Sequence, residues 1–174
     1  MKPDQFWKLM DKARRQSGHN STEHIEILKD SLEKLDEADI RGFDQLVRML
    51  LRDSYQADLW AAAYIINGGC AEEGFARFRA WLIGQGEKAF STGVEKPDSL
   101  SRWVEDGNVE MEGLEGVAVE AYERKTGKTD FYDSTMECQS PHLIGSLDTW
   151  QTNGEVDIKK LKKLVPKLYK KFYG

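Results

Sequence analysis

Cysteine is nearly missing from this chain, with Cys70 and Cys138 its two examples. They stand far apart, outside any CxxC or Cys/His cluster, which excludes a disulfide framework and leaves no zinc-ligand spacing. Both are expected as reduced thiols, with Cys70 a small buried hydrophobe or, as the alternative, a reactive group. Histidine is equally sparse. His19 and His24 straddle a predicted helix start and His142 follows Pro141, none in an HExxH context, so no metal site is implied. Serines occur without GxSxG and glycines without GxGxxG or GxxxxGK, so acyl transfer and nucleotide binding lack their usual scaffolds and no cofactor is expected. Long apolar runs are absent too. Charges interrupt every apolar cluster in the first twenty residues, which leaves room for neither a secretory h-region nor a transmembrane segment and points to the cytoplasm.

What is present is helical periodicity. Phe6, Leu9, Met10 and Ala13 recur at three- and four-residue steps from about Asp4 and stop by Gly18, which predicts a first helix. Asn20 and Glu23 resemble a capping box ahead of Ile25, Leu28, Leu32 and Leu35, and Asp36 or Asp39 can open a third helix through Ile40, Phe43, Val47 and Leu50. Asp58 to Ile66 is apolar at nearly every position, as a short helix buried on most sides would be. Asn67, Gly68 and Gly69 should end it. A helix over Glu72 to Ile83 follows, with Phe75, Phe78 and Leu82 on one face. After Phe90 the pattern weakens into a proline-marked turn at Lys96 to Leu100, and a helix resumes near Leu114 to Tyr122.

From Thr126 to Gly154 no period is sustained. An irregular wrap is expected there, anchored by Phe131, Tyr132, Leu143, Ile144 and Trp150. The last stretch places Ile158, Leu161, Val165, Leu168 and Phe172 at helical intervals behind the N-cap candidate Asp157. Pro166 within it predicts a kink, or a restart with proline in the first turn of a second short helix. The fold expected is all-α, a single-domain bundle of about six or seven helices over residues 1–174, with an irregular segment before the C-terminal helix and any strand short and peripheral.

The block DLWAAAYIINGGCAEEGFARFRAWLIGQG at Asp58 to Gly86, FW at Phe6 and Trp7, PDSL at Pro97 to Leu100 and the closing LVPKLYKKF resemble a bacterial family, domain of unknown function 4240. The likeness spans nearly the whole chain and implies an intracellular, mostly helical domain. It brings no activity, ligand or catalytic residue with it. Where the family usually has serine and two aspartates after the double glycine, this chain has Ala71, Glu72 and Glu73, which weakens a tight metal site and removes a side-chain cap.

Three functional expectations follow. Because no nucleophilic, metal or phosphate constellation is complete, the first is a non-catalytic module that recognises another protein. The second is a small-ligand pocket, or an enzyme site, beside the Gly68–Gly69 loop. A helical wheel aligns Glu72 with Arg79, Trp60 and Tyr64 lie one turn apart, and Asp58 and Trp81 complete the set. A purely structural use of these six is the competing expectation, with Glu72 at a helix start, Trp60 and Tyr64 in the core and Arg79 paired to an internal acid. Glu73 and Arg77 are expected as a surface ion pair.

The third expectation comes from charge. Asp157 to Gly174 holds seven lysines against one aspartate, a net +6 that leaves −11 on the rest of a chain whose total is −5. Lys159, Lys160, Lys162 and Lys163 could meet an anionic surface or nucleic acid, although the overall acidity disfavours nucleic acid. Lysines on the polar side of an amphipathic helix are also ordinary.

Overall fold

A computed structural model describes residues 1–132 and 141–174, so Cys138 lies outside the described residues. The three expected opening helices form where their caps place them. Helix α1 runs Pro3–Gln16, with proline in its first turn, where the missing N–H costs nothing. Helix α2, Ser21–Glu33, starts at Asn20, whose side chain accepts the Glu23 amide at 3.0 Å. Helix α3, Glu37–Asp53, starts at Asp36, which accepts the Asp39 amide at 2.7 Å. Phe6, Met10, Leu28, Leu32, Ile40, Phe43 and Val47 from their facing stripes are fully buried together.

Helix α4, Ala57–Asn67, is enclosed on most sides, and Ala61, Ala62 and Ala63 have no exposed surface. Alanine suits this position because neighbouring helices can approach without losing rotamer entropy. Gly68 ends α4 in the left-handed conformation, φ 65°, and the Gly69 amide returns to the Tyr64 carbonyl at 2.9 Å. Helix α5, Glu72–Gly84, then crosses α3 and carries Phe75 and Phe78 into the core.

Helix α6, Glu87–Glu95, is not marked by the weak periodicity after Phe90. It is short and buries only Ala89, Phe90 and Gly93, too few apolar positions to register as a stripe. A 3-10 turn follows at Pro97–Arg102, and α7, Val117–Thr126, packs along α2 and α3. Between them residues 103–113 hold no regular element. Gly107 lets this loop lie against α4, where a β-carbon would come within 2.6 Å of the Ile66 carbonyl oxygen.

The closing part returns to α4. Ile144 makes a parallel bridge with Gln56, and a two-stranded antiparallel hairpin pairs β1, Gln151–Thr152, with β2, Glu155–Val156. Helix α8, Ile158–Leu164, is capped by Asp157. Helix α9, Pro166–Tyr173, restarts with proline in its first turn. Leu161, Val165 and Leu168 join the same core as the opening helices.

The architecture is all-α, with more helices than the six or seven expected because α6 forms and the last stretch divides at Pro166. Two of the expected anchors are corrected: Phe131 and Trp150 are buried, but Ile144 and Tyr132 are exposed. Ile144 contributes its backbone instead of its side chain. Tyr132 is held by polar contacts, its hydroxyl donating to the buried carboxylate of Asp44 at 2.9 Å with the Arg48 guanidinium over its ring.

Candidate functional site

The six residues suggested for a pocket do not meet as one set. Asp58, in the first turn of α4, accepts a hydrogen bond from the Thr149 hydroxyl at 3.0 Å. Trp60 donates its indole N–H to the Cys70 carbonyl at 2.8 Å and stacks on Phe75 at 4.8 Å between ring centroids. This one side chain fixes the glycine turn to α5. Tyr64 packs against Trp150 at 5.6 Å, and Trp150 donates to the Ala57 carbonyl at 3.0 Å, so both fasten the closing segment to α4. Trp81 is buried against Phe78.

Glu72 and Arg79 do converge, through a residue that the sequence pattern did not mark. Tyr55 lies in the irregular turn between α3 and α4. Its hydroxyl donates to Glu72 at 3.0 Å, while the Arg79 guanidinium sits 4.7 Å from its ring centroid and 5.0 Å from that of Phe75. Arg79 is 7% exposed. It donates to the Leu51 carbonyl in the last turn of α3, where positive charge opposes the negative end of the helix. No carboxylate lies within 4 Å of it among the described residues, so the internal acid expected for it is replaced by a carbonyl and two aromatic faces. Burial depresses its pKa, with Tyr55, Glu115 and Glu72 acting the other way. The group works as a positively charged bolt between α3 and α5.

A cleft of about 400 Å³ does open beside the double glycine, but its walls are other residues: Asn67, Cys70, Glu73, Arg77, Asn108 and Glu110. The Asn67 amide is consumed by reciprocal bonds to the Val109 backbone at 3.0 and 3.2 Å. Arg77 forms the expected pair with Glu73 at 2.8 Å and also lies near Glu110 and Glu112 at 4.0 and 3.7 Å. Cys70 is half-buried, less enclosed than expected, and burial pushes its thiol up to about 11. At neutral pH it stays protonated, which argues for filling space over attack.

The lysine group divides. Lys160 is half-buried and donates to the carbonyls of Asp148 and Gln151 at 2.9 and 2.7 Å, stitching the hairpin to α8. Lys159, Lys162 and Lys163 are exposed, as are Lys167, Lys170 and Lys171 of α9. None of these seven has a carboxylate within 4 Å among the described residues, whereas Lys29, Arg48, Arg77 and Arg124 all do. The side of α8 and α9 that faces away from the core is therefore a basic surface whose ammoniums form no ion pair among the described residues. Asp98 sets its angle, because one carboxylate oxygen accepts both the Lys167 and Leu168 amides at 2.9 Å. That carboxylate caps α9 from the far 3-10 turn.

Among the described residues no helix is long and apolar enough to cross a membrane. The fold and this geometry are those of a helical protein in which several polar candidates form internal joints and seven lysines gather on the two closing helices. The sequence model of the family described as Protein of unknown function (DUF4240) matches residues 1–124, and the chain belongs to that family. The closing segment with α8 and α9 lies beyond the matched residues. No curated protein and no solved structure matches the chain.

Proposed function

We propose that this protein is a non-catalytic interaction module of the cell interior whose ligand is another protein. The observation that carries this is the basic face of α8 and α9, whose lysine ammoniums form no ion pair among the described residues. Like charges gathered on one surface repel one another and are relieved when a partner of opposite sign approaches, which also steers the encounter. The face is held rigidly by the Trp150 anchor and the Asp98 cap, so little ordering is required on binding.

The test is site-specific photo-crosslinking in the native cell, with the crosslinker at Lys163 on the basic face or at Glu37 at the start of α3. A discrete protein adduct from either position supports the module. Absence of adducts from both, beside a metabolite that raises the melting temperature, would reverse the ranking in favour of a small-molecule binder.

The cleft beside Gly69 supports that second reading. Its volume falls in the range of small-ligand sites, and Arg77→Ala should then abolish the metabolite's melting shift while leaving the unliganded protein folded.

A further inference from the structure

The basic face is crossed by aromatic rings. Lys162 Nζ lies 5.6 Å from the ring centroid of Tyr169, and Tyr169 stacks on Tyr173 with 5.6 Å between centroids and 21° between planes. Tyr173 is 50% exposed, and its hydroxyl reaches the Gly68 turn at the end of α4. The row Lys162, Tyr169, Tyr173 thus bridges both closing helices and runs to the glycine loop, with Lys163 and Lys170 exposed on the same two helices.

We infer that this row is the docking surface for an acidic protein segment, a stretch rich in aspartate and glutamate whose carboxylates accept from the lysine ammoniums and the tyrosine hydroxyls. The inference rests on the interaction-module reading and specifies its partner. Charge complementarity is the first ground, because this segment carries a net +6, with Asp157 its one acid against seven lysines. The second is which ring surfaces remain free. Tyr169 is covered by Tyr173 and by Lys162, and Tyr173 has one face turned to Tyr169, so most of the ring surface a nucleobase would stack on is used inside the molecule. Edges and hydroxyls remain, and these recognise carboxylates. Burial, with neighbouring Tyr64 and Tyr169, raises the Tyr173 pKa, so its hydroxyl keeps the proton it would donate.

A bilayer fits less well. A flat anionic surface would also confront the −11 carried by the rest of the chain, while a peptide can confine itself to the row. Ile158 at 53% exposure is the one large aliphatic side chain prominently exposed on these helices, too little to enter a bilayer.

The experiment measures fluorescence anisotropy of a short labelled peptide of alternating glutamate and aspartate, titrated with the full chain. A glutamine–asparagine peptide, single-stranded oligothymidylate and vesicles of phosphatidylserine in phosphatidylcholine are run beside it. Saturable binding of the acidic peptide that weakens with salt is expected. The Lys162→Glu, Lys163→Glu, Lys170→Glu triple variant should bind about tenfold or more weakly at an unchanged melting temperature. Tyr173→Phe should weaken binding by roughly fivefold, the loss of one hydrogen bond. No binding of the acidic peptide, undiminished binding by the triple variant, or tighter binding of the oligonucleotide or vesicles would each overturn the inference. If the peptide fails while crosslinking from Glu37 still captures a protein, the surface is wrong and the module stands. If both fail, the module falls with it.

Discussion

On the α2 and α7 side of the molecule, Lys29 bridges Glu26 and Glu120, and Arg124 spans Glu26 and Asp30 at 3.0 and 3.2 Å. On the α8 and α9 side, the partners of the lysine ammoniums among the described residues are carbonyls and a tyrosine ring. Both sides consist of amphipathic helices with charged outer positions. They differ in what the fold lays beside them, since α7 brings Glu120 to Lys29 of α2, whereas among the described residues no carboxylate comes within 4 Å of a lysine ammonium of α8. A charged helix face is therefore either consumed by a neighbouring element or left for a partner, and residue spacing is silent on which.

The contrast breaks most heavily at the anchor of the basic side. Trp150→Ala removes a fully buried indole, its bond to Ala57 and its contact with Tyr64, and should cost about 4 kcal/mol. A lowered urea midpoint would register the loss. A drop below 1 kcal/mol would mean that the closing segment is only loosely attached and the rigid-face account fails.

The paired side has a buried weak point in His24. It is 2% exposed with Nε2 unpartnered among the described residues, and burial together with nearby Arg14 lowers its pKa to about 4. The unfolded chain takes up this proton near the ordinary value of 6.5 and the native state only near 4. Stability from the neutral ring is thus complete above 6.5 and lost as pH falls through this window, up to about 3 kcal/mol. Urea midpoints measured across the window should fall for the native sequence and flatten for His24→Leu. Equal slopes would place the acid sensitivity elsewhere.

A smaller effect sharpens how the basic face is oriented. Asp98→Ala should cost about 1 kcal/mol, the usual worth of a cap, and speed amide exchange at Lys167 and Leu168 while leaving α2 untouched. Protection unchanged at those two amides would show that α9 holds its own start. Smallest of all, reversing Lys162 and Lys163 to Glu should shift stability by less than about 0.5 kcal/mol, as unpaired surface lysines contribute little to folding. A large destabilisation in a thermal melt would show that they are structural after all.

Several elements were legible because their causes are local. Asn20, Asp36 and Asp157 each stand a few residues or fewer ahead of an apolar stripe and each caps the helix that follows. Gly68 ends α4 because it alone enters the left-handed region there without a side-chain clash. The candidate site was less legible. Glu72 and Arg79 share a helix face as the wheel indicates, but the ring between them, Tyr55, comes from an aperiodic turn. Asp98 lies in the proline-marked turn, and the helix it caps is about seventy residues away.

The sequence by itself determined the helical class, the N-caps Asn20 and Asp157, a choice of Asp36 or Asp39 for the third, the break at Pro166 and the concentration of lysine at one end, since each depends on neighbours within a turn or two. Only tertiary structure decided that most of the pocket candidates became joints, that Arg79 answers a carbonyl instead of an acid, and that the lysine ammoniums of α8 and α9 form no ion pair among the described residues. Those outcomes depend on which side chains meet across distant segments, and packing of the whole core sets those meetings.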